Sequence, residues 1–273
     1  MGCIFSPRAI DRFASPRAIS KGDLTMSGHS KWATIKHKKA AIDKVRGKTF
    51  AKLSRLLQVA AREGGGDVAS NASLRTVVAK AKAASMTNDA IERAIKRGLG
   101  ETDGKAYEAV TYEAYAPGGV AMLIDILTDN RNRTAADVRM IFSKQGGSMA
   151  APGSVSWQFA RKGVILASKL ASEEDLMTIG LEHGLEDIVA EDEMWHITCD
   201  PSQVYELKAA LEASKIGVAS ASSTMLSSNT VTITDSTEAK AILKIMNELD
   251  DNDDVQDVYA NFDISDSLMQ EVG

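Results

Sequence analysis

The sequence predicts an α+β fold of three domains, in which an all-helical N-terminal domain precedes two α/β (ferredoxin-like) domains, one inserted in the other. Apolar residues recur with helical spacing in the N-terminal part, and short β-rich segments separated by turns begin after Gly104. Further on, the order strand, helix, strand, strand, helix, strand is the ferredoxin-like order. The predicted divisions are a disordered extension at 1–25, the helical domain at 26–106, an α+β domain at 107–160 together with 225–263, and the inserted ferredoxin-like domain at 161–224.

The first long helix is predicted between Ile35 and Arg62. Gly47 is expected to divide it into two helices, since glycine is a poor helix former, and a run of three glycines follows its end. A single apolar stripe with helical spacing predicts the face that packs against a partner. The stripe is formed by Phe50, Leu53, Leu57 and Ala60.

Two further helices complete the predicted N-terminal domain. One is expected from Leu74 to Ala84, with Asn71 or Ser73 as its N-cap. The other is expected from Asn88 to Arg97, with Asn88 as its N-cap and Gly98 as its end.

Beyond Gly104 strands and helices are predicted to alternate. A hairpin is expected because the turn 116–119, with its Pro-Gly-Gly, joins the β-rich segments 109–115 and 120–127. Thr134 or Asn132 is expected to cap the helix that follows. The predicted helices are 134–144, 173–183, 203–213 and 238–249. The remaining predicted strands are 155–159, 163–167, 187–190, 195–199, 218 onward, 230–233 and 255–259.

Charge is distributed unevenly along the chain. Between Met26 and Arg62, ten lysines and arginines are opposed by Asp43 alone, so this segment carries +9. Residues 1–25 add +2, and because the whole chain carries −5, residues 63–273 carry −16. This asymmetry predicts a polyanion-binding surface on an acidic body. A solvated basic helix face is the simpler alternative.

The predicted nucleic-acid-binding residues lie in the basic segment and at one later helix start. Lysines suit contacts with phosphates and carry little base information. Trp32 is suited either to stack on an unpaired base or to anchor the first helix in a core. The arginine pair at the later helix start either holds a phosphate or forms salt bridges to the acidic body. The complete set is Lys31, Trp32, Lys36, His37, Lys38, Lys39, Lys44, Arg46, Lys48, Lys52, Arg55, Arg131 and Arg133.

Other classes of site find little support in the sequence. No P-loop, G-x-S-x-G, H-E-x-x-H or G-x-G-x-x-G motif is present, so neither an enzyme nor a cofactor is predicted. Cys3 and Cys199 give no disulfide framework, and no membrane helix is predicted. An acidic cluster near the C-terminus lacks the EF-hand spacing, which predicts a solvated turn instead of a metal site. Its members are Glu248, Asp250, Asp251, Asp253, Asp254 and Asp257.

Several motifs resemble those of the YebC/PmpR family, beginning with Gly-His-Ser-Lys-Trp-Ala at 28–33. Further motifs that fit the family are Arg-Gly-Lys at 46–48, Asn88 with 91–95, Pro-Gly-Gly-Val-Ala at 117–121, 128–135 and 253–262. The resemblance extends over residues 26–263, and nothing upstream of Met26 belongs to it. Two departures are Ser-Met-Ala at 148–150, where the family usually has Asn-Leu-Gly, and Thr34, where members often have Asn.

The resemblance implies a helical domain and two α/β domains around a cleft, in a cytoplasmic DNA-binding transcriptional regulator. Other relatives, including mitochondrial ones, look like translation factors that act with the ribosome. We therefore expect a non-enzymatic, nucleic-acid-binding regulator of gene expression, with DNA as the first target and ribosomal RNA or the ribosome as the alternative. A protein-interaction module whose basic face meets an acidic partner is the third hypothesis. A monomer or weak oligomer in the cytoplasm is expected, or in the mitochondrion if the chain is eukaryotic and residues 1–25 act as a transit segment.

Overall fold

The computed structural model describes residues 42–101, 106–191 and 194–272. Three helices form a helical unit, and two four-stranded sheets with packed helices follow it. The predicted α+β class, with a helical part followed by sheet-containing parts, is confirmed. The division of the chain at the predicted domain boundaries stays a prediction.

The helical unit consists of α1 (Ile42–Gly64), α2 (Ala72–Ala83) and α3 (Asn88–Leu99). The predicted apolar stripe of α1 lies in the core of this unit, where Leu53 and Leu57 are buried among side chains of α2 and α3. α1 continues through Gly47 without a break, contrary to expectation. A glycine inside a helix costs about 1 kcal/mol, which the packing of the apolar stripe outweighs.

The ends of α3 differ from the prediction by one or two residues. Thr87, not Asn88, is the N-cap, and its side chain accepts a hydrogen bond from the backbone of the first turn. Gly98 lies inside the helix, against the backbone of Gln58 in α1, where a larger side chain would collide. The helix ends instead at Gly100, which has the left-handed φ of 79°.

The first sheet has the strand order β3-β1-β2-β9 and is antiparallel throughout. Its strands are β1 (Glu108–Ala116), β2 (Val120–Thr128), β3 (Ser148–Met149) and β9 (Val255–Ala260). β1 and β2 form the predicted hairpin. Two helices, α4 (Arg131–Lys144) and α7 (Ser236–Asp251), pack on one face and bury the largest apolar cluster with it.

The second sheet has the ferredoxin-like element order that the sequence predicts, with strands arranged as β5-β6-β4-β7. Its strands are β4 (Phe159–Ser168), β5 (Leu185–Glu191), β6 (Met194–Cys199) and β7 (Val218–Ser227). The helices α5 (Glu173–Gly180) and α6 (Val204–Ala213) bury Ile165, Ile197 and Leu207 between themselves and this sheet.

A short parallel pair of strands lies beside the first sheet. It joins β8 (Val231–Ile233) to β10 (Phe262–Ile264), and the helix α8 (Asp266–Val272) follows. Phe262 and Ile264 are buried in the cluster under α7. The sequence patterns did not indicate β3, β10 or α8, because such short segments show too few periods of alternation.

The segment 155–159 is not the strand that the sequence predicts. It forms a 3₁₀ turn at Ser156–Gln158 that leads into β4. The buried carboxylate of Glu113 accepts hydrogen bonds from the backbone N–H groups of Gly153 (2.6 Å), Val155 (2.6 Å) and Ser156 (3.0 Å). Because these N–H groups point at one carboxylate, they cannot form the ladder of a strand.

Candidate nucleic-acid interface

The structure describes part of the predicted nucleic-acid-binding set. Lys44 and Arg46 lie near the start of α1, on a part of the helix where only the backbone is described. The members with described side chains are Lys48, Lys52, Arg55, Arg131 and Arg133. The members outside the described residues are Lys31, Trp32, Lys36, His37, Lys38 and Lys39.

Helix α1 presents its cations away from the core of the helical unit, as its charge spacing predicts. Lys48, Lys52 and Arg55 lie at successive turns, and each side chain points toward the C-terminal end of α7 and the turn before β9. We call residues 248–254 the acidic turn. Three cations of the predicted phosphate-binding face therefore contact this chain's own carboxylates.

Each of the three cations has an acidic partner. Lys48 Nζ pairs with Asp251 Oδ1, and Lys52 Nζ lies 3.3 Å from Asp250 Oδ1. Arg55 Nη1 lies 3.1 Å from Asp254 Oδ1 and also donates to the backbone carbonyl of Asp253. The pairs grow less exposed along α1, because 71% of the Asp251 side chain is exposed and 7% of that of Asp254.

Asp254 lies at the centre of a buried network. Thr134 Oγ1 lies 2.7 Å from Asp254 Oδ2, and Arg133 Nη2 donates to the same oxygen at 2.6 Å. Burial raises the pKa of the Asp254 carboxyl, but the hydrogen bonds from Thr134 and Arg133, with the charges of Arg133 and Arg55, outweigh burial and lower it. The carboxylate is therefore held in its charged form.

The arginine pair at the start of α4 divides into one bound and one exposed side chain. Asn130 is the N-cap, accepting from the N–H of Arg133 at 3.1 Å, where Asn132 or Thr134 was predicted. The guanidinium of Arg133 pairs with Asp129 at 2.8 Å and with Asp254. Arg131 is exposed and forms no salt bridge within the described residues. Salt bridges to the acidic body thus account for Arg133, and Arg131 stays available to a ligand.

The acidic turn is more than the solvated turn that its composition suggests. Glu248, Asp250 and Asp251 occupy the last turn of α7, where carboxylates meet the negative end of the helix dipole and are disfavoured. The cations of α1 compensate for this repulsion. Over the described ranges, no group of three or more His, Cys, Asp or Glu side chains is placed to hold a metal ion.

A cavity of about 320 Å³ separates α1 from the first sheet. Lys48, Lys52 and Leu56 line one side, and Asp250 and Gln256 line the other. Both polar atoms of the Gln256 amide are buried and have no hydrogen-bond partner among the described residues. The contact between the helical unit and the sheet thus combines ion pairs with apolar side chains and is incompletely packed.

The remaining ionisable groups of interest lie in the second sheet. Burial lowers the pKa of His196, with the charge of Asp187 opposing it. Burial raises the pKa of the Cys199 thiol to about 11, and the charges of Glu186 and Asp200 add to this. Neither side chain is therefore ionised near neutral pH. No helix within the described ranges combines the length and apolarity needed to cross a membrane.

Both charged surfaces are predicted from the sequence, but the contact between them is not. The signal in the sequence is the opposite sign of two clusters, +9 over residues 26–62 and six acids between 248 and 257. Opposite charges in one chain do not specify pairing, since either cluster can face solvent. Pairing of β9 with β2 fixes the acidic turn on the first sheet, and the ion pairs with Lys48, Lys52 and Arg55 join it to α1.

Comparisons with known proteins agree with this architecture. The family model of the TACO1/YebC protein N-terminal domain matches residues 30–101, and that of the TACO1/YebC second and third domain matches residues 107–262. A crystal structure of a conserved hypothetical protein from Aquifex aeolicus is 46% identical and superposes with a TM-score of 0.74, covering 86% of this chain and 98% of that one.

Curated relatives match over almost their whole length. A probable transcriptional regulatory protein of Halothermothrix orenii is 50% identical over 250 residues, which are 90% of this chain and 99% of that protein. A probable transcriptional regulatory protein of Rubrobacter xylanophilus is 51% identical over 249 residues, with the same coverage of both chains. Since both family models match in order and together span most of the sequence, the predicted resemblance is confirmed, and the chain belongs to the TACO1/YebC family.

Proposed function

We propose that the protein is a non-enzymatic regulator of gene expression that binds nucleic acid through its basic N-terminal segment, with DNA as the first target. One observation carries the proposal: a segment of net charge +9 continues into α1, which buries its apolar stripe and keeps its cations outside the helical core. The relatives named probable transcriptional regulatory proteins support a role in gene regulation.

Binding of this kind acts mainly through phosphates. Lysine side chains release counterions from the nucleic-acid backbone, and the logarithm of the binding constant falls by about 0.9 per contact for each tenfold rise in salt. The exposed Arg131 adds a cation at the start of α4, which favours anions there. The acidic remainder of the chain repels phosphates and so restricts binding to the basic surface.

RNA, including ribosomal RNA, is the second candidate target, and one observation favours it. In the helical unit, α3 follows α2 after a short connection, but its first turn carries Asp89 and its second Glu92. A helix that reads bases places donors such as Asn, Gln or Arg at its start. α3 begins with Asn88, but the carboxylates of Asp89 and Glu92 beside it repel phosphates, so recognition by backbone shape is favoured over base reading.

Fluorescence anisotropy with the full chain tests the proposal. The probes are a labelled DNA duplex and an RNA hairpin of equal length, titrated at several salt concentrations. Replacing Lys31, Lys36, Lys38 and Lys39 by Gln should weaken binding and flatten the salt dependence, while leaving the pairs between α1 and the acidic turn in place. The matched control replaces four lysines of α6, α7 and the turn after α6, of which Lys215, Lys240 and Lys244 are exposed and Lys208 is half-buried.

Equal loss of affinity in both variants would contradict the basic segment as the binding surface. Absence of binding to both probes would contradict nucleic-acid binding itself. Charge reversal of Lys44, Lys48, Lys52 and Arg55 is a weaker test, since three of these side chains pair with the acidic turn and their reversal would also break the contact between α1 and that turn.

Crosslinking in cells, followed by sequencing of the recovered DNA and RNA, distinguishes the two targets. Enrichment of discrete promoter DNA supports transcriptional control. Enrichment of ribosomal RNA instead makes translation the regulated step. Recovery of neither favours the third hypothesis, a protein partner for the basic face.

A further inference from the structure

Lys48, Lys52 and Arg55 cannot bind phosphates while they hold the acidic turn. Each of these side chains has a carboxylate or carbonyl oxygen within hydrogen-bonding distance. The three contacts lie on successive turns of α1. Carboxylates spaced along a helix end and a turn present the charge that a phosphate backbone would present. The acidic turn therefore occupies the face of α1 that a polyanion would occupy.

We propose that the acidic turn is an autoinhibitory substitute for nucleic acid, and that binding of nucleic acid releases the helical unit from the first sheet. The inference rests on the proposed function, because it describes how that same basic surface is regulated. Phosphates and carboxylates compete for Lys48, Lys52 and Arg55, so the protein binds more weakly than its cation content implies.

The contact between α1 and the sheet has the properties of a separable interface. The apolar cluster of the helical unit contains side chains of residues 50–95 alone, and the clusters around the two sheets contain none of them among the described residues. The ion pairs between α1 and the acidic turn thus join separate cores, and an interface between separate cores permits relative motion.

The carboxylates of the turn allow a matched pair of variants. Asp250 and Asp251 pair with lysines of α1, whereas the carboxylates of Glu248 and Asp253 form no ion pair within the described residues. The test variant is Asp250→Asn with Asp251→Asn, and the control is Glu248→Gln with Asp253→Asn. Both remove two negative charges from the same turn, and only the first removes partners of α1. Asp254 is left unchanged because it holds the buried network.

Affinity for the RNA hairpin and the DNA duplex is measured by anisotropy on the full chain. The test variant should bind roughly threefold to tenfold more tightly than wild type, and the control should change much less, since exposed ion pairs each contribute up to about a factor of five. An equal gain in affinity in both variants would mean that the loss of negative charge alone strengthens binding. That result would contradict competition between the acidic turn and nucleic acid. If wild type binds and the test variant is unchanged, the inference fails and the proposed function stands. If no form of the chain binds either probe, both fail together.

A carbodiimide, which couples a carboxylate directly to an amine in contact with it, reports the contact itself. Mass spectrometry should find Lys48 joined to Asp251 in the free protein, and saturating RNA hairpin or DNA duplex should suppress this product. The Asp250→Asn and Asp251→Asn variant is the blank. Undiminished coupling in the presence of bound nucleic acid would show that the contact persists, which contradicts release.

Discussion

Arg55 Nη1 lies 3.1 Å from Asp254 Oδ1, so a side chain of the N-terminal helix is fixed by a carboxylate 199 residues further along the chain. The second oxygen of that carboxylate binds Arg133 and Thr134 at the start of α4. Asp254 thus joins α1, α4 and the strand β9. A group used by three elements is a sensitive point for substitution.

Asp254→Asn should lower the free energy of unfolding by about 1–3 kcal/mol. The side chains of Arg55, Arg133 and Thr134 donate to the carboxylate, and the amide of Asn would place N–H groups against some of these donors. Urea denaturation followed by circular dichroism measures the change. Asp253→Asn is the control, since its side chain is exposed and its own backbone carbonyl still accepts from Arg55. Equal stability of the two variants would contradict the central role of Asp254.

Glu113 gives a prediction about pH. Burial raises the pKa of its carboxyl, but the N–H groups of Val155, Gly153 and Ser156 outweigh burial and lower it below the ordinary 4.5. Because the folded state then binds fewer protons than the unfolded state, the contribution of Glu113 is present above about pH 4.5 and is lost as the pH falls through the lowered pKa.

Glu113→Gln should therefore destabilise the protein by about 1.5–3 kcal/mol near neutral pH, with a smaller difference from wild type in acid. Urea denaturation at a series of pH values gives both quantities. Glu108→Gln, on an exposed position of the same strand, is the control. A difference from wild type that stays constant down to strongly acidic pH would contradict the ionised state assigned to Glu113.

Two glycines of the helical unit should respond in opposite directions to alanine. A Cβ at Gly98 would collide with the carbonyl oxygen of Gln58. Gly98→Ala should therefore lower the free energy of unfolding by about 1–3 kcal/mol. A Cβ at Gly47 would meet no atom of the described residues within 4 Å, and Gly47→Ala should raise the free energy of unfolding by about 0.5–1 kcal/mol, since alanine is the better helix former. Thermal unfolding compares the two. Stabilisation by Gly98→Ala would contradict the close packing of α3 on α1.

Cys199 should be inert to thiol reagents in the folded protein. Its side chain is buried, and burial raises its pKa to about 11, so the thiolate is scarce at neutral pH. In a Cys3→Ser background, reaction with 5,5′-dithiobis(2-nitrobenzoic acid) should be very slow until denaturant is added. Rapid reaction of the folded protein would contradict the burial of this thiol.

The parts of the fold that the sequence predicted depend on local patterns. The stripe of α1 and the alternation of β1 and β2 each arise from residues close together in the chain, so periodicity alone reveals them. The cap of α3 falls on Thr87 and not on the predicted Asn88, because the two residues are adjacent and both residue types favour the N-cap.

The parts that the sequence missed depend on distant partners. The segment 155–159 has the composition of a strand, yet its N–H groups donate to the carboxylate of Glu113 in β1. The segment therefore forms a turn. Likewise, charge spacing revealed a basic face of α1, but nothing local to Lys48 or Lys52 indicates Asp251 or Asp250. The sequence reveals the charge of each surface, but local patterns do not predict which surfaces contact each other in the fold.

The sheet order β3-β1-β2-β9 also has a consequence during synthesis of the chain. Translation proceeds from the N-terminus, so α1 and the hairpin emerge from the ribosome long before β9, which pairs with β2 from residues 255–260. The acidic turn precedes β9 directly and emerges equally late. Throughout most of its own translation, the nascent protein therefore carries its cationic helix without the partner that later covers it.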